Sequence, residues 1–176
     1  MTTATETDTQ LAASFATDHA GQTVSHGTFT LERTFAQPRA VVFAAWSSRD
    51  VKNAWFGEGD NFLRSVEEYR LDFRVGGEER LAGILASSGN RFEYNSVYGD
   101  IVDGRRIVAT YAVVINRRRI SVSLLTVEFQ DHAAGTRIVM TEQGAFLDGL
   151  DTNQIRIVGA TESLDSLEKY LARAGG

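Results

Sequence analysis

Cysteine is absent from this chain of 176 residues, and histidine and proline are scarce. Without cysteine there is no disulfide framework, no thiolate zinc site, no iron–sulfur cluster and no cysteine nucleophile. The three histidines are His19, His26 and His132, and their positions match neither a metal-ligand pair nor a Ser-His-Asp triad. The glycines do not form a phosphate-binding loop. We therefore expect no metal and no cofactor.

Long apolar runs and excess positive charge are also missing. A membrane-spanning helix needs about 18 consecutive apolar residues, and the richest stretch here, 107–115, is far shorter. The first lysine or arginine is Arg33, so the chain starts without the basic region of a signal peptide. Its net charge of −5 disfavours phosphate-backbone contacts. We expect a cytoplasmic protein that has no membrane span and binds no nucleic acid.

The composition predicts one folded domain preceded by an arm. At about 150 residues per domain, a chain of 176 residues corresponds to one domain. Its 43% of apolar residues are enough for a single core. Residues 1–27 contain seven threonines and three acids but no basic residue, which predicts a flexible acidic arm before a domain at 28–176. Alternatively, Leu11 and Phe15 lie on one face of a short helix that docks as a strap.

The beginning of the domain is predicted to be a strand followed by two short helices. Residues 28–35 alternate between apolar and polar, as a strand does. Pro38 suits the first turn of a helix. Ser47 or Ser48 caps a second helix, which Gly57 ends. The apolar helical stripes are Val42, Ala45 and Trp46, then Val51, Ala54 and Trp55.

A run of strands fills the middle of the chain. The candidates are 66–75, 78–87, 91–102, 105–115, 119–130 and 135–146. Turn residues separate them, and Asp103-Gly104 is the sharpest hairpin signal. Because the connections are short, we expect consecutive strands to pair antiparallel in a meander.

The last segment changes to helical periodicity. Apolar residues recur every three or four positions over 152–174, which predicts a long amphipathic helix capped by Asp151 or Thr152. A strongly curved sheet is not filled everywhere by one straight helix, so a cavity between them is expected. Gly159 within this helix either brings its backbone close to the sheet or leaves room for a ligand.

Five sequence segments follow one another in a characteristic order, at 38–46, 54–57, 73–78, 92–101 and 141–146. Together they resemble the START-like (SRPBCC) superfamily, and within it the branch named after the activator of the heat-shock-chaperone ATPase. The resemblance implies an α+β helix-grip fold, in which a curved antiparallel sheet wraps around a long C-terminal helix and two short helices follow the first strand. It also implies a cavity for a small hydrophobic ligand.

Aromatic side chains are the principal candidates for lining that cavity. Tyrosine combines an apolar ring with one hydrogen-bonding tip, which suits an amphipathic ligand. The alternative is that these rings only pack the core. The candidate ligand-binding aromatics are Trp46, Trp55, Phe56, Tyr69, Phe73, Tyr94, Tyr98, Tyr111 and Phe146.

Glu142 is the principal polar candidate. If Ile138 and Met140 face inward, alternation turns Glu142 inward too, where a carboxylate can act as a general acid or base. Alternatively, it pairs with an arginine, or the register is offset by one residue and Gln143 faces inward.

Three functions follow from these observations. The first is binding of a small hydrophobic or aromatic ligand. The second is an enzyme that resembles polyketide cyclases and aromatases and uses Glu142 with the cavity tyrosines. The third is an interaction module that resembles the chaperone-ATPase activator. The two aromatic helices near an open sheet edge also predict a homodimer.

Overall fold

A computed structural model describes residues 22–59 and 62–174 as seven strands and three helices. The second helix continues directly into a π-helical turn. The elements are β1 (Val24–Phe35), α1 (Arg39–Ser47), α2 (Arg49–Lys52), the π turn (Asn53–Gly57), β2 (Leu63–Leu71), β3 (Glu78–Leu85), β4 (Arg91–Val102), β5 (Arg106–Ile115), β6 (Arg118–His132), β7 (Gly135–Leu147) and α3 (Asn153–Ala174).

The strands form one antiparallel sheet in the order β1-β7-β6-β5-β4-β3-β2. Strands β2 to β7 are a meander of neighbours, and β1 joins it by pairing with β7. Leu164, Leu167 and Leu171 of α3 are buried against the sheet. The α+β class, the two short helices and the helix-grip architecture are confirmed.

Several strand boundaries differ from the sequence prediction, and the two largest differences are at the start of β1 and the end of β2. Strand β1 begins at Val24, where it pairs with Leu147, so the last residues of the predicted arm belong to the sheet. Strand β2 ends at Leu71, because the next residues form a turn in which Gly76 has a φ of 77°. The first difference arises from pairing with a strand distant in sequence, and the second from a local turn. The rest of the predicted arm, with the Leu11 and Phe15 strap, lies outside the described residues.

The two short helices are tied together by their tryptophans. The Trp55 Nε1 atom donates a hydrogen bond of 2.8 Å to the Ala45 carbonyl, and the rings of Trp46 and Trp55 lie 5.1 Å apart. Both rings are buried in the chain's own core. They are therefore not the surface that joins a second copy, and the homodimer stays a prediction.

The ends of the helices follow the sequence signals only in part. Pro38 stands just before α1 rather than inside its first turn. Ser48 occupies the N-cap position of α2, but its side chain makes no capping hydrogen bond within the described part of the chain. At α3, the Thr152 hydroxyl accepts a hydrogen bond of 3.2 Å from the Ile155 amide, so one of the two predicted caps is confirmed. None of the described helices is long and apolar enough to cross a membrane.

Candidate functional site

A cavity of about 260 Å³ lies between the concave face of the sheet, the π turn and α3. Its walls are predominantly aromatic and aliphatic. The aromatic residues that line it are Trp46, Trp55, Phe56, Phe62, Phe92, Tyr94 and Tyr111. The charged residues that line it are Lys52, Glu142, Asp151 and Arg156. A molecule with an apolar body and a polar group at one end therefore matches the lining of this cavity.

The structure brings six of the ten candidate site residues together around this cavity. They are Trp46, Trp55, Phe56, Tyr94, Tyr111 and Glu142. The helices and the π turn supply the first three, and strands β4, β5 and β7 supply the others. Tyr94 and Tyr111 lie on β4 and β5, with ring centroids 4.8 Å apart.

The other four candidates pack elsewhere. The hydroxyls of Tyr69 and Tyr98 point to Glu79 and not into the cavity. Phe73 lies in the turn after β2, where its ring contacts Tyr98 edge-on at 5.1 Å. Phe146 faces inward on β7 but is buried outside the cavity lining. A buried aromatic ring therefore need not line the cavity.

The closed cluster is a buried group formed by Lys52, Glu79, Tyr69 and Tyr98. The Lys52 Nζ atom lies 2.6 Å from Glu79 Oε2, which also accepts a 2.7 Å hydrogen bond from Tyr98. Tyr69 donates to the other oxygen, Oε1, at 2.9 Å. Burial, reinforced by the Glu79 carboxylate, raises the pKa of both phenols well above its usual value. Both carboxylate oxygens of Glu79 are thus hydrogen-bonded.

Sequence reasoning did not single out Lys52 and Glu79. Two weak signals exist. Glu79 shares a strand face with the buried Leu81, and Lys52 precedes Phe56 by four positions on a helical segment. The Lys52 Nζ atom lies 5.2 Å from the Trp46 ring centroid and 5.6 Å from that of Phe56. Lys52 is the member of the closed cluster that also lines the cavity.

The open cluster is the second polar group and consists of Glu142, Arg156, Tyr111, Ser123 and Asp151. Glu142 faces inward while Gln143 is exposed. Glu142 Oε1 accepts a 2.8 Å hydrogen bond from Ser123 and a 3.3 Å one from Arg156 Nε. The Arg156 Nη2 atom donates to the Tyr111 hydroxyl.

Burial changes proton affinities in the open cluster. It raises the pKa of Asp151, although the Thr152 amide and the Arg156 guanidinium act in the opposite direction. It also raises the pKa of Tyr111, against the lowering effect of Arg156. Arg156 itself lies four positions before Ala160, on the same face of α3, and this spacing was the signal available for it.

Gly159 leaves open space in the cavity wall. Apart from its chain neighbours and the nearby backbone of α3, a Cβ atom added at this position would meet no described atom within 4 Å. The glycine therefore does not serve a close approach of the helix backbone to the sheet. The structure shows open space at this position, and its use by a ligand stays a prediction.

The described residues were also compared with the requirements of a metal site. Within 22–59 and 62–174, no group of three or more histidine, aspartate or glutamate residues is placed to hold a metal ion. What the arrangement offers is an apolar enclosure, hydrogen-bond acceptors on two carboxylates, and one guanidinium.

Solved structures of similar proteins share this fold. A putative uncharacterized protein from Rhizobium leguminosarum is 39% identical, with a TM-score of 0.81 over 86% of this chain and 98% of its own. A protein from Rhizobium loti is 36% identical, with a TM-score of 0.75 over 84% of this chain and 99% of its own. An AHSA1-like protein from Aeromonas hydrophila, 18% identical, has a TM-score of 0.64 over 85% and 94% of the two chains, and shows the fold alone.

Sequence comparison assigns the family. No curated protein is similar enough to match this chain. The family described as "Activator of Hsp90 ATPase homolog 1-like protein" matches residues 36–172, which is more than half of the chain. This agrees with the resemblance to the START-like superfamily found in the sequence segments. The chain therefore belongs to the Activator of Hsp90 ATPase homolog 1-like family.

Proposed function

We propose that this protein binds a small, largely apolar ligand in the cavity between its sheet and α3. The observation that carries the proposal is the cavity itself, about 260 Å³ with predominantly apolar walls. Ligand sites are typically apolar enclosures with a few convergent polar groups, as found here.

The volume limits the size of the ligand. Liquid water occupies about 30 Å³ per molecule, and small-molecule sites usually span roughly 300–1,000 Å³. The cavity of about 260 Å³ lies just below that range. A ligand with one or two fused rings suits this space.

The other two functions have less support from the site. Activation of another protein's ATPase requires contact between surfaces and no cavity, so the cavity favours ligand binding. The carboxylate and phenols of the open cluster serve binding as well as proton transfer, so they do not favour a reaction. A shared fold does not decide function.

A substitution that fills the cavity tests the proposal. In Gly159→Phe the new ring enters the open space in the cavity wall. Glycine is the poorest helix former after proline, so the change does not weaken α3. We expect wild-type protein to bind 1-naphthylmethanol in isothermal titration calorimetry, and Gly159→Phe to bind it at least about tenfold more weakly.

Val158→Phe is the matched control. Val158 precedes Gly159 on α3, is 49% exposed and does not line the cavity. The same ring added there should leave binding unchanged. Circular dichroism of both variants verifies that α3 and the sheet are intact. Equal binding by Gly159→Phe and wild type, or no binding by wild type, would contradict the proposal.

A further inference from the structure

We infer that the ligand carries a hydrogen-bond-donating head, an alcohol or a protonated amine, that binds Asp151 at the α3 end of the cavity. This inference rests on the proposed function, because it assumes that the cavity is a ligand site. It adds the chemical class of the ligand's polar group and the residue that anchors it.

The charge balance at this end of the cavity favours a donor. Glu142 and Asp151 are 3% and 1% exposed and supply two carboxylates, whereas Arg156 supplies one positive charge. When both carboxylates are ionised, the three groups carry one net negative charge. An ionised carboxylate only accepts hydrogen bonds, so the complementary ligand group is a donor.

Asp151 has unused hydrogen-bonding capacity. Its Oδ1 atom accepts a 2.8 Å hydrogen bond from the Thr152 amide, but its Oδ2 atom has no hydrogen-bond partner among the described residues. The Arg156 Nη1 atom is 3.8 Å away, beyond hydrogen-bond distance. The nearby Ser121 hydroxyl, whose oxygen also has no hydrogen-bond partner among the described residues, favours the ionised carboxylate. A buried acceptor left unpaired is costly, so a donor entering from the cavity gains binding energy there.

The positive groups of the cavity are already engaged. Arg156 donates to Glu142 from Nε and to the Tyr111 hydroxyl from Nη2. Lys52 is paired with Glu79 at 2.6 Å. A ligand carboxylate would therefore find neutralised cations and would face two carboxylates at close range, which is repulsive. An acidic head is thus disfavoured by the same groups that favour a donor.

Three naphthalene probes that differ only in the head test this inference. They are 1-naphthylmethanol, 1-naphthylmethylamine and 1-naphthoate, titrated calorimetrically into wild-type protein at neutral pH. We expect the alcohol and the amine to bind at least about tenfold more tightly than the acid. Asp151→Asn removes the charge and adds an amide donor. It should therefore reduce the ratio of the affinity for the alcohol or amine to the affinity for the acid by about tenfold.

Asp148→Asn is the matched control for charge. It removes one negative charge three positions earlier in the chain, from a residue that does not line the cavity. We expect it to leave the preference among the three heads unchanged. Thermal unfolding of each variant verifies folding, and the wild-type ranking alone remains decisive if Asp151→Asn fails to fold.

The outcomes separate this inference from the proposed function. Tightest binding of 1-naphthoate by wild-type protein, or an unchanged preference in folded Asp151→Asn, would overturn the inference and leave ligand binding standing. Binding of none of the three probes would overturn the proposed function, and the inference with it.

Discussion

The two buried polar clusters contain the same kinds of groups and differ in how completely those groups are paired. In the closed cluster, Glu79 uses both carboxylate oxygens, and Lys52 is 4% exposed. In the open cluster, the Arg156 side chain remains 19% exposed and one Asp151 oxygen has no hydrogen-bond partner among the described residues. The closed cluster packs mainly behind the cavity, whereas the open cluster borders it.

This difference separates groups that hold the fold from groups available to a ligand. A buried charge that is fully paired gains nothing more from a bound molecule, whereas an unpaired acceptor beside a cavity does. Burial of ionisable side chains therefore does not by itself identify a site. We interpret the closed cluster as structural and the open cluster as the polar end of the ligand site.

The largest effect is expected in the closed cluster. Glu79→Gln leaves the Lys52 ammonium buried without its counter-charge. Removing one partner of a buried ion pair typically costs about 3–5 kcal/mol. We expect a loss of this size in the free energy of unfolding, measured by urea denaturation.

The double variant Lys52→Met/Glu79→Gln is the control for this prediction. It removes the uncompensated charge, and buried ion pairs replaced on both sides are often nearly neutral in stability. We expect it to recover most of the loss. A cost below about 1 kcal/mol for Glu79→Gln alone would place Glu79 among solvated ion pairs and remove the contrast between the clusters.

An intermediate effect is expected from the buried tyrosines at alkaline pH. Four of the five tyrosines in the chain have raised pKa values in the folded state. The folded protein thus holds these phenolic protons more tightly than the unfolded chain. Their contribution to stability is fully present below a pH of about 10, the ordinary tyrosine pKa, and is lost as the pH rises above it.

The variant Tyr98→Phe measures how much one of these phenols contributes to the alkaline loss of stability. Each such tyrosine lowers the free energy of unfolding by about 1.4 kcal/mol per pH unit above its unfolded pKa. We expect Tyr98→Phe to reduce the alkaline slope by about this amount. In wild-type protein, tyrosinate absorbance of the four buried rings should appear together with unfolding. Stepwise ionisation of these rings in the folded protein would contradict the assignment of Tyr98 to the closed cluster.

The order of elements was predictable from sequence because helical and strand periodicity are local. The inward position of Glu142 followed from alternation with Ile138 and Met140, both of which are buried. Strand ends were less predictable, because β1 begins at Val24 only through its pairing with β7.

The polar part of the site was less accessible to sequence reasoning. Lys52 and Glu79 are separated by 27 positions in sequence, and no local sequence pattern predicts such a pair. Asp151 was interpreted only as a helix cap. Its carboxylate does accept from the Thr152 amide, and its role in lining the cavity depends on where α3 crosses the sheet. Four aromatic candidates do not line the cavity, because the sequence does not show where along the sheet a buried ring lies, and because Phe73 belongs to a turn and not to the predicted strand.

The smallest effect concerns Asp151 itself. Burial raises the pKa of this carboxyl, so the folded protein binds the proton more tightly than the unfolded chain does. The stability that Asp151 contributes is therefore present at low pH and is lost as the pH rises through the folded pKa. Asparagine does not titrate, so Asp151→Asn should improve in stability relative to wild type as the pH increases.

Urea denaturation of both proteins at about pH 4 and about pH 7 measures this difference. We expect the unfolding free energy of Asp151→Asn, relative to that of wild type, to be higher at about pH 7 than at about pH 4. This pH-dependent gain should be smaller than the loss caused by Glu79→Gln. An equal difference at both pH values would mean that the charge of Asp151 is balanced within the protein. The open cluster would then resemble the closed cluster and would not anchor a ligand, because an acceptor whose charge is already balanced within the protein has little to gain from a ligand.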